Sequence, residues 1–561
     1  MQKKWNIKHP NPKLQADLSN SLSLHPIVAQ LLLNRGISTS QDAKDFLSIN
    51  LSSLHDPLLF ADMDKTLKRI HKAKEKKERV LIFGDYDVDG ITSSVILKNI
   101  LQKIGLDVIN YIPHRINEGY GLNHAIVDFA KKRDVRLMIA IDCGITAFSE
   151  VDALNNAGID VIIMDHHEPP EKKLPNAVAV INPKRHDCKY PFKGLASVGL
   201  AFKLAQALLG KACEDYLDLV ALGTVADVAE LLGENRVFVK FGLEKLSHTK
   251  NKGLMALMDV ARIKGKKLKP HSIGFVLGPR INASGRMGSA EKSLQLLLSE
   301  EEHEAYSLAK SLEEENQKRQ KMQGNIIEEA LSVVEREINF KDHRIIVLSK
   351  EGWHRGIVGI VASRIMDTFY RPTIVISLED GLGTGSARSI DGFHMYEALK
   401  HCEALLENFG GHEHAAGLTI KKENIENFNN LINQFAKDHM DVQSLIPTLD
   451  IDCEISLSSL TLELVEAVKS LEPFGEGNPS PVFCSRQLTV KTPPVILGRD
   501  TIKFWVSDGK VVLQAVGFGL GRFFDLVSGG TKLDLAYAVS TDDWNKDPII
   551  QLEIKDIKEA D

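Results

Sequence analysis

The sequence predicts a multidomain α/β protein that ends in a small β-barrel, and three observations carry this. Short apolar runs alternate with helix-period segments across residues 79–164, the βαβα pattern of a parallel sheet covered on both faces. A charged, proline-free stretch at 300–338 has apolar residues mostly three or four apart, which predicts one long linking helix. Beyond Pro447 the texture turns to short β-like runs punctuated by Gly, Pro and Asp, as in a small antiparallel barrel, with the OB-fold the leading candidate. At 561 residues the chain exceeds one hydrophobic core and divides into roughly three to four domains.

The elements follow in order. Residues 1–60 read as a helical extension with a turn at His55-Asp56-Pro57, and 61–299 as the first α/β domain. Its strands are expected at 80–83, 108–112, 137–141 and 161–164, with helices at 91–104 and 123–132. The linking helix carries Ala305, Leu308, Leu312, Met322, Ile326, Ala330 and Val334 on its apolar stripe. Residues 339–446 read as a smaller α/β domain, with strands at 344–348 and 373–377, a helix at 358–366, and glycine-rich loops at 381–385 and 410–411. The barrel is expected at 447–561.

Composition narrows the function classes. Hydrophobic residues make up 43% and charged residues 26%, a globular balance, and no apolar run approaches the roughly 20 residues of a membrane span. The basic start, Met1-Gln2-Lys3-Lys4-Trp5, leads into polar sequence rather than a signal core, so a cytoplasmic protein is expected. Six scattered cysteines without a CxxC pair indicate neither a disulfide framework nor a zinc site. The net charge of -6 does not exclude a nucleic-acid partner, because a carboxylate-rich metal centre contributes negative charge that bound cations offset.

Polar residues stand directly behind three of the expected strands: Asp85, Asp87 and Asp89 after the first, Asp142 after the third, and Asp165-His166-His167 after the fourth. In an open parallel sheet these positions converge on the crevice beyond the carboxyl ends of the strands, where ligands bind. Carboxylates packed this closely repel one another unless cations or protons neutralise them. Oxygen ligands with one or two imidazoles suit Mn2+ or Mg2+ better than a thiolate metal. A further acid, Asp227, closes the apolar stretch Gly223-Thr224-Val225-Ala226. Each piece has a bland alternative: a solvated turn, a helix cap, or a structural histidine.

Together, Asp-x-Asp, a strand-end Asp, Asp-His-His and Gly-Thr-x-Ala-Asp in this order resemble the DHH phosphoesterase family. The resemblance implies two divalent ions, Mn2+ or Mg2+, with Asp87 and Asp227 on one, Asp89 and His166 on the other, and Asp142 bridging them. It implies Asp142, His167 and Asp85 as the groups nearest the chemistry, His167 as a neighbour of the metals or a substrate contact. Asp85 departs from pyrophosphatase-type members, which place a His slightly before the Asp-x-Asp pair. Two metals activate water for hydrolysis of a phosphate ester or anhydride without selecting the substrate.

The resemblance extends along nearly the whole chain, to the branch of that family that digests single-stranded DNA from its 5′ end. It rests on Pro113-His114-Arg115, on the segment from Gly278 to Arg286, and on glycine-rich motifs holding His354, Ser386, Arg388 and His412, which resemble the DHH-associated domain. It implies Arg115, Arg280, Asn282, Arg286, His354, Ser386, Arg388 and His412 as DNA or phosphate contacts, in keeping with bidentate guanidinium recognition of phosphate. Phe504, Trp505, Phe518 and Trp544 are candidate stacking platforms in the barrel. Single-stranded DNA is the implied partner, with a single-strand binding protein and a helicase, in recombination and repair. Two other readings stay open here: a phosphodiesterase for short oligonucleotides, cyclic dinucleotides or pyrophosphate, and a non-catalytic DNA-binding scaffold.

Overall fold

A computed structural model describes residues 3–115, 117–498, 500–542 and 549–560. The chain forms two compact units, one of Met1–Ser52 with Ile446–Asp561 and one of Ser53–Leu445. Strand β1 (Lys4–Ile7) opens the first. In the second, β2 (Arg79–Gly84), β3 (Asp107–Tyr111), β4 (Val135–Ile141), β5 (Asp160–Met164) and β6 (Ala179–Ile181) form a sheet in the order β3-β2-β4-β5-β6, with every pair parallel.

Alternation along these strands fills two layers. Leu81, Phe83, Met138, Ala140, Val161 and Ile163 pack with Ile126, Val151 and Leu154 from the helices Ala125–Lys131 and Phe148–Asn156. Val80, Ile82, Leu137, Ile139 and Ile162 are equally buried, on the face where the helix Val88–Lys103 lies. Burial on both sides is why these strands read as continuous apolar runs. The chain passes from β2 to β3 on one side and returns to β4 on the other. That reversal opens a crevice between the carboxyl ends of β2 and β4.

The linking helix, Glu302–Glu337, has 36 residues, a length of about 54 Å at the usual rise. It buries Ala305, Ala309, Leu312, Ile326, Ala330 and Val334. Met322, counted above in its apolar stripe, is 38% exposed, and the polar Asn316 and Arg319 are buried instead. Their side chains bond to each other, and Arg319 also to Gln323, one turn on.

The smaller α/β part holds β7 (Ile346–Glu351), β8 (Thr373–Glu379), β9 (Leu382–Arg388), β10 (Leu406–Gly411) and β11 (Ala415–Lys421), in the order β10-β11-β9-β8-β7. Only β7 and β8 are parallel. The sequence reading made the glycines near 383 and 410 loop residues, but Gly383 and Gly385 lie inside β9, and Gly410 and Gly411 end β10. A Cβ on Gly383 would come within 2.7 Å of Ile376 Cγ2. Strand glycines here let side chains of the neighbouring strands fold over the backbone.

In the other unit, β12 (Thr448–Ile451) pairs in parallel with β1, and β13 (Cys453–Glu454) leads to β14 (Phe483–Leu497), β15 (Thr501–Ser507), β16 (Val512–Phe518), β17 (Leu533–Asp542) and β18 (Ile549–Glu559). The pairings β14-β15-β16-β18-β17 close through β17 onto β14, a five-stranded barrel in which only β16 and β18 run parallel. Leu18, Leu31 and Leu32 from the N-terminal helices share its core with Leu488, Ile502, Phe504 and Leu552. The first fifty residues are therefore a strand plus helices packed on the barrel. Phe504 is core, at 1% exposure, while Phe518 is 66% exposed and Trp505, adjacent to Phe504, points to the opposite face. Trp544 lies outside the described residues.

One buried ion pair ties the entry segment to the first α/β part. Lys203 Nζ lies 2.7 Å from Glu234 Oε1 and donates to His55 O at 2.8 Å, while Tyr190 Oη donates to Glu234 Oε2. Lys203 and Glu234 are almost wholly excluded from solvent. Replacing Lys203 by Met strands a buried carboxylate and is expected to destabilise this unit by about 3–5 kcal/mol. Lys203→Met with Glu234→Leu should recover most of the loss in thermal or urea unfolding; a double variant no more stable than the single would refute the assignment.

Candidate metal and phosphate site

The five residues of the expected ligand set, Asp87, Asp89, Asp142, His166 and Asp227, reach one crevice by separate local devices. Asp87 caps the helix Val88–Lys103, its Oδ1 accepting from Gly90 N at 3.1 Å. Gly90 is required there, since a Cβ would lie 2.5 Å from the carbonyl oxygen of Asp85. Asp89, buried in the first turn, accepts from the backbone N–H groups of Ser197 and Val198, each at 2.8 Å. These donors sit at the N-terminus of the helix Ser197–Leu209, whose dipole favours a carboxylate.

Asp142 follows β4 in the left-handed region at φ +66°, a conformation Asp tolerates better than most residues. Its N–H donates to Met164 O at 3.0 Å and its Oδ1 accepts from Ser197 Oγ at 2.9 Å. His166 Nε2 lies 3.4 Å from Asp142 Oδ1 and 3.9 Å from Asp227 Oδ2. Asp227 ends the helix Leu217–Ala226. That helix approaches closely through Gly223, where a Cβ would lie 2.5 Å from Thr92 Oγ1 and 2.8 Å from Val198 Cγ1.

Ligand atoms of Asp89, His166 and Asp227 fall within 4.8 Å of one another, as do those of Asp85, Asp87 and Asp142, and those of Asp142, His166 and His167. Asp227 thus meets the group of Asp89 and His166, and it also lies within electrostatic reach of Asp87, with which the resemblance pairs it. Burial, then the negative charge of Asp87, pushes Asp85 well above the ordinary carboxyl range; burial, then Asp89, does the same to Asp142. Asp89 rises to about 7 through burial and Asp87, and Asp227 to about 9 through burial, Asp89 and Asp87. His166 falls to about 3 through burial and the positive charge of His167, which leaves its imidazole neutral. Its Nε2 and Asp85 Oδ1 are buried with no hydrogen-bond partner. A cluster of repelling carboxylates around an unpartnered neutral imidazole nitrogen fits divalent cations of the Mn2+ or Mg2+ class.

Behind this cluster, Asp165 orients His167. Asp165 accepts from Ile145 N at 2.9 Å and from His167 N at 3.1 Å, and its Oδ1 lies 2.7 Å from His167 Nδ1. Burial alone would raise Asp165 and lower His167, but the bond between them reverses both directions. Tyr120, 54% exposed, donates to Asp142 O at 3.2 Å and meets the His167 ring edge-on at 5.7 Å.

The phosphate candidates divide. Arg115 stacks over Tyr86, 4.9 Å from its ring centroid. Arg388 Nη1 donates to Ser386 Oγ at 3.0 Å, and both face Gly359, where a Cβ would lie 3.2 Å from Arg388 Nη2. The turn at Gly356 closes on the helix Gly278–Met287, leaving 2.3 Å between a Cβ there and Arg286 O. His354 Nδ1 accepts from Gly356 N at 3.1 Å. Burial and then the positive charges of Arg115, Arg319 and Arg388 lower Arg286 to about 10, so these four guanidiniums form one basic cluster. Among the described residues Arg115, Arg286 and Arg388 form no ion pair. Arg280 instead bonds Glu313 at 2.5 Å and Val276 O at 2.7 Å. Asn282 is half-buried on the same helix, and His412 stands on the exposed hairpin between β10 and β11.

The sequence reading gave no role to Ser197, Tyr86 or Arg319, and it took Tyr120 only as part of the motif Glu118-Gly119-Tyr120-Gly121-Leu122 that follows Arg115. A hydroxyl before a helix and a tyrosine between two aspartates carry no spacing signal of their own. Only the packing of helices Val88–Lys103 and Ser197–Leu209 brings Ser197 to Asp89 and Asp142.

Family models match in order along the chain: the DHH family N-terminal domain at residues 79–224, the DHHA1 domain at 342–438 and the RecJ OB domain at 451–556. The chain is 38% identical over 557 residues to the single-stranded-DNA-specific exonuclease RecJ of Bacillus subtilis, covering 99% of this chain and 70% of that one. It is 32% identical to the exonuclease of the same name from Haemophilus influenzae over 568 residues, 97% of this chain and 98% of the other. A crystal structure of RecJ in complex with Mn2+ from Thermus thermophilus superposes with a TM-score of 0.85 at 28% identity, covering 100% of this chain and 80% of that one. A crystal structure of exonuclease RecJ bound to manganese gives 0.60 at 33% identity over 69% of this chain and 96% of the other. With three domain models matched in order and more than 30% identity along nearly the whole length of both chains, the protein belongs to the RecJ family of single-stranded-DNA-specific exonucleases.

Proposed function

We propose that this exonuclease digests single-stranded DNA from the 5′ end, releasing 5′-mononucleotides by hydrolysis at the carboxylate and His166 centre. The observation that carries this reading is the basic cluster of Arg115, Arg286 and Arg388, with Ser386, within electrostatic reach of Asp85 and Asp87; among the described residues none of these guanidiniums forms an ion pair. A terminal phosphate bears more negative charge than a phosphodiester and offers three acceptor oxygens, so it is the group such a cluster favours. Anchoring the terminal phosphate sets which internucleotide phosphate reaches the carboxylates, and one nucleotide leaves per cut.

Asp89, His166 and Asp227 would hold one divalent ion, and Asp87 with Asp142 the other, Asp85 lying against the second. When bound, the ions activate water for attack on phosphorus and offset charge on the departing oxygen. The protein's own groups orient this. The two N–H donors on Asp89 and the Ser197 hydroxyl on Asp142 fix their carboxylates, as neighbouring hydrogen bonds commonly do for ligands. His166 is kept in its neutral, ligating form. His167, with Nδ1 held by Asp165, presents Nε2 as a donor to phosphate oxygen. In the barrel, Trp505 and the exposed Phe518, flanked by Lys503, are the proposed base platforms. Among the described residues no helix is long and apolar enough to cross a membrane. The family resemblance supports work in the cytoplasm, in recombination and repair, with a single-strand binding protein and a helicase.

The direct test supplies 5′-labelled single-stranded and duplex DNA with Mn2+ or Mg2+. Mononucleotides released from the single strand's 5′ end are expected; activity confined to dinucleotides or pyrophosphate would overturn the reading. Asp142→Ala should cost at least roughly 10²–10³-fold in rate. Arg388→Ala should lower the preference for 5′-phosphorylated over 5′-hydroxyl strands by roughly 10–100-fold, the worth of a charge-assisted contact, and an unchanged preference would place the terminal phosphate elsewhere.

Stability should report the cluster as well. Raised carboxyl values mean that the folded protein without metal holds protons the unfolded chain has lost, so stability falls as pH rises. The window runs from about 4, the ordinary unfolded value, to the values near 7 of Asp89 and 9 of Asp227. In EDTA the thermal midpoint is expected to drop between these limits, and Mn2+ to restore it increasingly at higher pH. A midpoint that rises with pH in EDTA would contradict the cluster's electrostatics.

A further inference from the structure

The linking helix carries a buried polar pair that none of the chemistry above uses. Asn316 is 1% and Arg319 8% exposed, midway along Glu302–Glu337 and on the side where that helix packs against Gly278–Met287. Arg319 donates from Nη2 to Asn316 Oδ1 and from Nη1 to Gln323 Oε1, both at 2.8 Å. These bonds leave its Nε buried without a partner, and Asn316 Nδ2 likewise. Buried donors are nearly always satisfied, so two orphans side by side call for an acceptor the chain itself does not supply.

The charge surroundings identify that acceptor. Among the described residues Arg319 forms no ion pair. Its charged neighbours are Arg280, which is already bound to Glu313, and Arg286, which belongs to the basic cluster. A guanidinium held in place among like charges, with a fixed fork and no carboxylate, matches a phosphate oxygen in both charge and geometry. The proposed function already brings phosphates of one strand to this cluster.

We propose that Arg319, together with Asn316, binds a backbone phosphate of the single strand, distinct from the terminal phosphate held by Arg388 and Ser386, so that the linking helix is part of the DNA grip. This rests on the exonuclease reading. It assigns Arg319 to binding and not to the hydrolytic step, and it gives the helix that joins the two α/β parts a direct contact with substrate.

The test is the salt dependence of binding. The full-length protein in EDTA, which prevents cleavage, is titrated onto a 5′-phosphorylated oligothymidylate labelled at its 3′ end, from about 50 to 200 mM salt. Loss of one phosphate contact on a single strand makes the slope of log K against log salt shallower by about 0.7. Arg319→Gln is expected to show that change, and Arg319→Lys to keep the slope while binding several-fold more weakly. A slope unchanged in Arg319→Gln, even with a lowered thermal midpoint, overturns the proposal and leaves Arg319 a structural residue. Should Arg319→Gln not fold, wild-type affinity in Arg319→Lys overturns it equally. Arg388→Gln, measured in parallel, separates the two ideas: a shallower slope there with none for Arg319→Gln sinks only the present proposal, and no change for Arg388→Gln sinks the 5′-phosphate anchoring beneath it.

Discussion

The repulsion among Asp85, Asp87, Asp89, Asp142 and Asp227 is the constraint on which the rest of the catalytic unit depends. Five carboxyl groups at one end of a parallel sheet are tolerable only because four of them, all but Asp85, are held by local devices and because cations or protons can neutralise the set. The sheet supplies the place, since the reversal of strand order around β2 opens a crevice at the strand ends. Three helices supply the grip: one capped by Asp87, one aimed by its N-terminus at Asp89, and one ending at Asp227.

Close packing of those helices follows from small residues at their crossings. Gly90 lets the loop of aspartates fold back over its own helix, and Gly223 lets the third helix settle against Thr92 and Val198. The same device recurs where the smaller α/β part meets the first, at Gly356 against the backbone of Arg286, and inside the smaller part, at Gly359 beneath Ser386 and Arg388. A side chain at Gly356 would push against the backbone of Arg286, and one at Gly359 would displace Ser386 and Arg388. The anionic metal side and the cationic phosphate side are thus products of one packing arrangement. Each also moderates the other, since Arg115 lowers Asp85 and Asp87 raises Arg286.

Much of this was legible in the sequence because strand-end acids behind apolar runs can only converge in a parallel sheet. The strands at 80–83, 137–141 and 161–164 fall within β2, β4 and β5, and the barrel is closed as expected of an OB-fold. Where the reading failed, a competing packing demand explains it. Glycines taken for turns serve strand packing in β9, and Met322 lies on the exposed side of a helix whose middle buries Asn316 and Arg319. Phe504, a stacking candidate, was lost to the barrel core by the alternation of its strand.

The sequence by itself determined the chemistry: acid and histidine types at strand ends, their order along the chain and the period of each element are local properties. Tertiary structure alone decided who meets whom. It grouped Asp227 with Asp89 and His166, committed Arg280 to Glu313, brought Ser197 under Asp142, and joined the first fifty residues to the final barrel. Such pairings span tens to hundreds of residues, and they depend on crossing angles and on which face of a helix is buried. Periodicity can say that a face is buried, but only packing says against what.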